Sequence, residues 1–158
     1  MDSEVKLYLE RSGNELRLAR AIFGLSGSKK NKLDLGANPE DTFYSAVISH
    51  SYYCIFYCAK AFLLSRKIKT KVPNEHKKTY FEFRKFVDSG ELDLELKKIY
   101  DDLLGNASEL LKLFLDEKKK RGHFVYRTLA QANKIPAGDS IKNAIKFLSN
   151  IKRVLENE

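Results

Sequence analysis

The hydrophobic and polar positions of the chain are least evenly divided in one stretch, Ser49-His50-Ser51-Tyr52-Tyr53-Cys54-Ile55-Phe56-Tyr57-Cys58-Ala59-Lys60-Ala61-Phe62-Leu63-Leu64. With Phe43, Ala46 and Val47 before it, this run places apolar or aromatic side chains over well over half the circumference of a 3.6-period helix. A helix without an ordinary polar face belongs at the centre of a bundle. The spacing predicts it over about 39–66: Asn38 can cap free N–H groups, Pro39 suits the first turn, and Glu40 and Asp41 complement the positive end of the helix dipole.

The flanking segments are amphipathic. Val5, Leu9, Leu16, Ala19, Ile22 and Phe23 alternate with Glu4, Lys6, Glu10, Arg11, Glu15 and Arg17, which predicts a helix from Asp2 to about Leu25 with Asp2 or Ser3 as its cap. Gly13 inside it costs about 1 kcal/mol relative to Ala and does not break it. The turn-rich, basic stretch 26–37 reads as a mobile loop. A basic connector, Lys67 to Pro73, leads to a helix over about 74–87 that carries Tyr80, Phe81, Phe83 and Phe86 and stops at Ser89-Gly90. From Glu91 to Lys120 the leucine spacing fits one long helix or two, and Gly105-Asn106 favours a break. Gly122 to Gly138 reads as turns, and Asp139 as the cap of a last helix through Ile141, Ala144, Ile145, Leu148, Ile151 and Leu155. No strand alternation or internal repeat appears. The fold class is therefore all-α with about five helices.

Length and charge narrow the picture. A chain of 158 residues predicts a single domain, 1–158, that buries about two-thirds of its unfolded surface without metal or disulfide staples. Its 29 basic and 21 acidic residues leave a formal charge of +8, which favours an anionic partner such as RNA, DNA or a nucleotide. The two cysteines sit one turn apart, a poor geometry for a bridge, so a reducing cytoplasm is the expected location. The N-terminus lacks a signal pattern and no uninterrupted apolar run reaches membrane-span length, so no membrane partner is expected.

Three potential metal ligands, His50, Cys54 and Cys58, recur every four residues. The outer two would lie about 12 Å apart along a helix, whereas ligand bonds to an ion are about 2 Å, so they read as core residues and no metal or other cofactor is expected. The Glu-x-x-His pattern of a di-iron bundle is absent too. Tyr44, Tyr52, Tyr53 and Tyr57 read either as core and subunit-interface packing or as a pocket that stacks a nucleobase. Basic residues gather at Arg66, Lys67, Lys69, Lys71, Lys77 and Lys78, and again at Lys118, Lys119, Lys120 and Arg121, followed by His123, Phe124, Tyr126 and Arg127. The second group has two readings of equal weight: cations offsetting a helix C-terminus, and a surface of charge and rings for phosphate and base contacts.

The run from Tyr52 to Leu64 resembles the aromatic-pair, small-residue and Leu-Leu helix of the HEPN superfamily, named for nucleotide binding in higher eukaryotes and prokaryotes. The resemblance extends to the segment around His76, to Arg121 through Tyr126, and to a final helix with Ala144 and Phe147-Leu148. It implies an up-and-down bundle of four or five helices, a homodimer, and pairing with a small nucleotidyltransferase in toxin–antitoxin or defence systems. It also implies, for one branch, metal-independent RNase activity from an Arg followed after four to six residues by His. This chain departs from that motif. Arg121 and His123 are separated by Gly122 alone, and no Arg stands at the required distance before His50 or His76. A misplacement of about 1 Å is enough to remove most of such a rate, so standard RNase activity is not expected. The leading reading is a binding bundle whose anion-facing edge comprises Lys118, Lys119, Lys120, Arg121, His123, Tyr126 and Arg127. An RNase using Arg121 and His123, and a pure protein–protein scaffold, are the alternatives.

Overall fold

The structure, a computed structural model, describes residues 2–120 and 134–157, with side chains described for 2–108 and 134–157. The described residues form six helices and no strand: α1 Ser3–Gly27, α2 Lys29–Asp34, α3 Tyr44–Ser65, α4 Glu75–Asp88, α5 Leu94–Lys120 and α6 Lys134–Glu156. The fold is an all-α bundle.

α3 is its centre, as its apolar circumference requires. Thirteen of its 22 residues are buried, over well more than half of the helix circumference. α3 has the length and hydropathy of a membrane span, which the sequence was not expected to contain, yet 67% of its most apolar window is buried by neighbouring helices. Such burial is the pattern of a bundle's central helix. α1 runs antiparallel to it: Tyr8 meets Tyr57, Ser12 meets Cys54, Glu15 meets His50, and Phe23 meets Tyr44. On the other side Phe62 of α3, Phe83 of α4, Tyr100 of α5 and Phe147 of α6 form one ring cluster, with adjacent centroids 5.3–5.9 Å apart. Tilted and edge-on pairs of this kind contribute about 0.5–1.5 kcal/mol each beyond area burial.

Four boundaries differ from the sequence reading, each for a local reason. The stretch 26–37 contains α2, because the Ser28 hydroxyl accepts from the Asn31 N–H at 3.2 Å and caps a helical turn. Lys32 in that turn is buried and donates to the Asp41 carbonyl at 2.8 Å. The central helix starts at Tyr44 rather than Pro39. Asn38 Oδ1 accepts from Glu40 N–H, Asp41 Oδ2 accepts from Asn38 N–H, and Phe43 N–H donates to Ser26 Oγ, so 38–43 is spent on a side-chain-bonded turn. α5 passes through Gly105-Asn106 unbroken: Leu103, Leu104 and Ala107 pack on the core, and that outweighs the roughly 1 kcal/mol cost of one glycine. α6 is already helical at Lys134, five residues before the expected Asp139 cap. Ala137 is fully buried against Ala19, Tyr44, Val47 and Ile48, and Asp139 pairs with Lys142 instead of capping.

Two substitutions test this packing. Phe62→Ala removes a fully buried ring and should cost about 3–5 kcal/mol in chemical denaturation. Tyr100→Phe should leave stability unchanged or raise it by about 1 kcal/mol, because the Tyr100 hydroxyl is buried with no hydrogen-bond partner among the described residues.

Candidate functional site

The side chains that α3 shows to the surface near its middle are rings, and the first turn of α4 lies on them. His76 stacks on Phe56 with centroids 3.9 Å apart and planes 15° apart. Its Nδ1 shares a hydrogen bond with the Tyr52 hydroxyl at 2.9 Å, and the Tyr53 ring is set edge-on to it with centroids 5.8 Å apart. Phe56 and Tyr52 are buried while His76 is exposed, so the imidazole is a polar outer layer over an apolar base. Burial lowers the His76 pKa below its usual 6.5; nearby Lys60 pushes the same way and Glu75 opposes. Burial, with a smaller effect from Tyr53, pushes Tyr52 up to about 12. Near neutral pH both partners are therefore uncharged, and Tyr52 orients the ring without drawing a proton onto it.

Lys60 is the one Lys, Arg, Asp or Glu residue in α3. Its side chain is 11% exposed and its ammonium bonds to Glu75, 4.7 Å from the ring centre of Tyr8 and 5.7 Å from that of Phe56. Burial works to lower its pKa, but bonds to Glu75 and Tyr8 more than offset this and it stays an ammonium. Cation, carboxylate and two ring faces thus hold one another in place, so Lys60 fixes the approach of α1 and α4 to α3. Beside it a cleft of about 130 Å³ is lined by Lys60, Lys69, Lys71, Glu4 and Glu75, and Lys69 bonds to Glu4 at 2.9 Å.

The rings continue along α3 toward α1. Tyr53 stacks on Tyr57 at 6.3 Å and 26°, and Tyr57 on Tyr8 at 6.2 Å and 23°. The guanidinium of Arg11 stands 4.4 Å from the Tyr57 ring centre and donates to its hydroxyl at 3.1 Å. A track of four rings, Tyr8, Tyr57, Tyr53 and His76, results. Two larger open grooves of about 570 Å³ each flank Gly24 at the far end of α1; their surface is mainly apolar, with Arg20, Lys134, Asp139 and Lys142 around one and Arg20, Asn31 and Asp34 around the other.

Of the sites expected from sequence, only part falls among the described residues. Lys118, Lys119 and Lys120 occupy the last turn of α5, with side chains beyond those described, and Arg121, His123, Tyr126 and Arg127 lie outside the described residues. His50 donates to Glu15 Oε2 at 2.6 Å. Cys54 and Cys58 are free and buried; burial raises the first thiol to about 11 and the second well above its usual range, so neither is a thiolate. Among the described residues no group of three His, Cys, Asp or Glu could share a metal ion. Of the four tyrosines singled out on α3, Tyr44 and Tyr52 are buried, Tyr57 is half-buried and Tyr53 is exposed. Tyr8 and Arg11 were missed, since a ring and a cation on an amphipathic helix carry no signal until their neighbour is known. Lys60 did carry one, as a lone charge in an apolar helix.

Among curated proteins the chain is similar to one named "Putative toxin MJ0142" from Methanocaldococcus jannaschii, 36% identical over 84 residues. The match covers 52% of this chain and 55% of that protein, so the chain spans about half the length of the curated relative it matches. No family model and no solved structure matches the chain.

The lowered His76 pKa has a signed consequence. Between the folded-state pKa and 6.5 the unfolded chain binds more protons at this position. The contribution of His76 to stability is therefore full above 6.5 and is lost as pH falls through that window. Thermal melts at neutral and mildly acidic pH should show a smaller acid-induced loss for His76→Gln than for the wild type.

Proposed function

We propose that this chain is the toxin-class member of a toxin–antitoxin pair, a HEPN-type helical bundle that binds RNA or nucleotide. The observation that carries the reading is the similarity, over about half of each chain, to a protein named as a toxin. A formal charge of +8 supports an anionic target, and an all-α bundle wrapped on one aromatic helix is the architecture that the HEPN resemblance implies. Under this reading the protein is a homodimer in a reducing cytoplasm, in keeping with its two unpaired thiols. A small nucleotidyltransferase restrains it, and Lys118 to Arg121, His123, Tyr126 and Arg127 make the phosphate-facing edge.

The proposed action is binding rather than cutting. In-line attack by a ribose 2′-OH needs a base and a phosphate-steadying cation at fixed separation, and with only Gly122 between them Arg121 and His123 do not have the spacing of the RNase motif.

Induced expression should slow the growth of a bacterial host, and co-expression of a cognate nucleotidyltransferase should restore it. RNA titrations at two salt concentrations should show affinity falling with salt, by about 0.7 log units per log unit of salt for each phosphate contacted. Lys119→Glu combined with Arg121→Ala should flatten that slope, and the RNA should be recovered intact. Unaffected growth, together with no RNA retention at either salt, would leave a protein–protein scaffold; RNA cut by the wild type alone would make the chain an enzyme.

A further inference from the structure

We infer that the ring track Tyr8–Tyr57–Tyr53–His76 is a stacking platform for the unpaired bases of single-stranded RNA, built from residues other than those of the proposed basic edge. The inference rests on the RNA-binding reading above and adds the strand state of the ligand and the surface that holds its bases. Three features of the surface carry it.

The first is the spacing of the rings. Successive centroids are 5.8–6.3 Å apart, with Tyr53 set edge-on to His76 and the other neighbours close to parallel. Unpaired nucleotides can splay by such steps, whereas bases in a duplex are already stacked on one another and show a protein only their edges. The second is where the exposure falls. Tyr53 is 38% exposed and His76 is exposed, whereas the rings beneath them, Tyr52 and Phe56, are buried and hold the imidazole at 2.9 Å and 3.9 Å. The platform is thus rigid before any ligand arrives, and little freedom is lost on binding. The second ring nitrogen of His76 has no partner among the described residues and is available to a base edge.

The third is charge. Arg11 lies over Tyr57, the second ring of the track, and exposed Lys77 and Lys78 follow His76 in the first turn of α4 at its far end. Glu4 and Glu75, which share a cleft with Tyr8, are already paired with Lys69 and Lys60. Cations beside a row of rings suit a strand whose phosphates run outside its bases. A second copy of this chain fits less well. A two-fold interface sets the same patch against itself, so it would set the cations of that patch, Arg11, Lys77 and Lys78, against one another in a protein that already carries +8.

The probe is a labelled oligoadenylate of about 12 nucleotides, compared with an RNA duplex of equal length. The single strand should bind at least about tenfold more tightly than the duplex. Tyr53→Ala and His76→Ala should each weaken single-strand binding by about tenfold without flattening the salt slope, and Tyr53→Phe should retain most of it. The chain has no tryptophan, so stacking should also quench its tyrosine emission, and Tyr53→Ala should reduce that quenching. Circular dichroism and light scattering on each variant check the fold and the oligomeric state. Single-strand binding unchanged by Tyr53→Ala and His76→Ala but lost on Lys119→Glu with Arg121→Ala would overturn the platform and leave the RNA reading standing. Wild-type protein that retains neither RNA would overturn both. A shift of the alanine variants to a smaller assembly, with RNA affinity kept, would make the track a subunit interface and overturn the inference.

Discussion

Everything in this bundle depends on α3 having no polar face. A helix with Val47, Ile48, Cys54, Ile55, Phe56, Cys58, Ala59, Ala61, Phe62 and Leu63 buried at 3% exposure or less must be covered from several directions at once. Burial at about 25 cal/mol per Å² of apolar surface is what draws four other helices, α1, α4, α5 and α6, around it. Short side chains make close approach possible on the α1 side. Ser12 donates to the Cys54 carbonyl at 2.8 Å, and both residues are fully buried.

The same constraint explains why rings reach the surface at the middle of α3. A helix that is aromatic on nearly every side cannot bury them all once its neighbours have packed, and the remainder, Tyr53 and Tyr57, lies in the seam between α1 and α4. Their hydroxyls and edges tolerate water where aliphatic side chains would not. Lys60 shows the converse: one cation is kept in an apolar helix by a carboxylate from α4 and a ring from α1. It ties three helices at one point. Glu75 and His76, adjacent in sequence, thereby serve two tasks, one closing the charge and the other capping the rings.

The two ends of the chain's function, as proposed, have different physical bases. Phosphate attraction through Lys118 to Arg127 is long-range, sequence-independent and screened by salt. Ring stacking on Tyr53 and His76 is short-range and depends on the bases being unpaired. A protein that combines them reads the strand state of an RNA without reading its sequence.

The pattern of residues was enough to determine the helical class, the central position of α3, the amphipathic register of α1, and the stop at Ser89-Gly90, where Gly90 takes a φ of +81°. These follow from periodicity and from backbone preferences that act within a few residues. The boundaries at Ser28 and Tyr44, and the helical turn ahead of Asp139, required the fold, because each depends on a distant or buried partner: Lys32 on Asp41, Phe43 on Ser26, Ala137 on Val47. The continuity of α5 did as well, since core packing on both sides of Gly105 outweighs its poor helix propensity. The candidate site was legible only in part. Tyr52, Tyr53 and Tyr57 drew attention as a group, but which of them faces outward, and that Tyr8, Arg11 and His76 join them, depends on three helices meeting at Lys60. Contacts of that range are set by how helices pack, and no spacing along one helix encodes its neighbour's register.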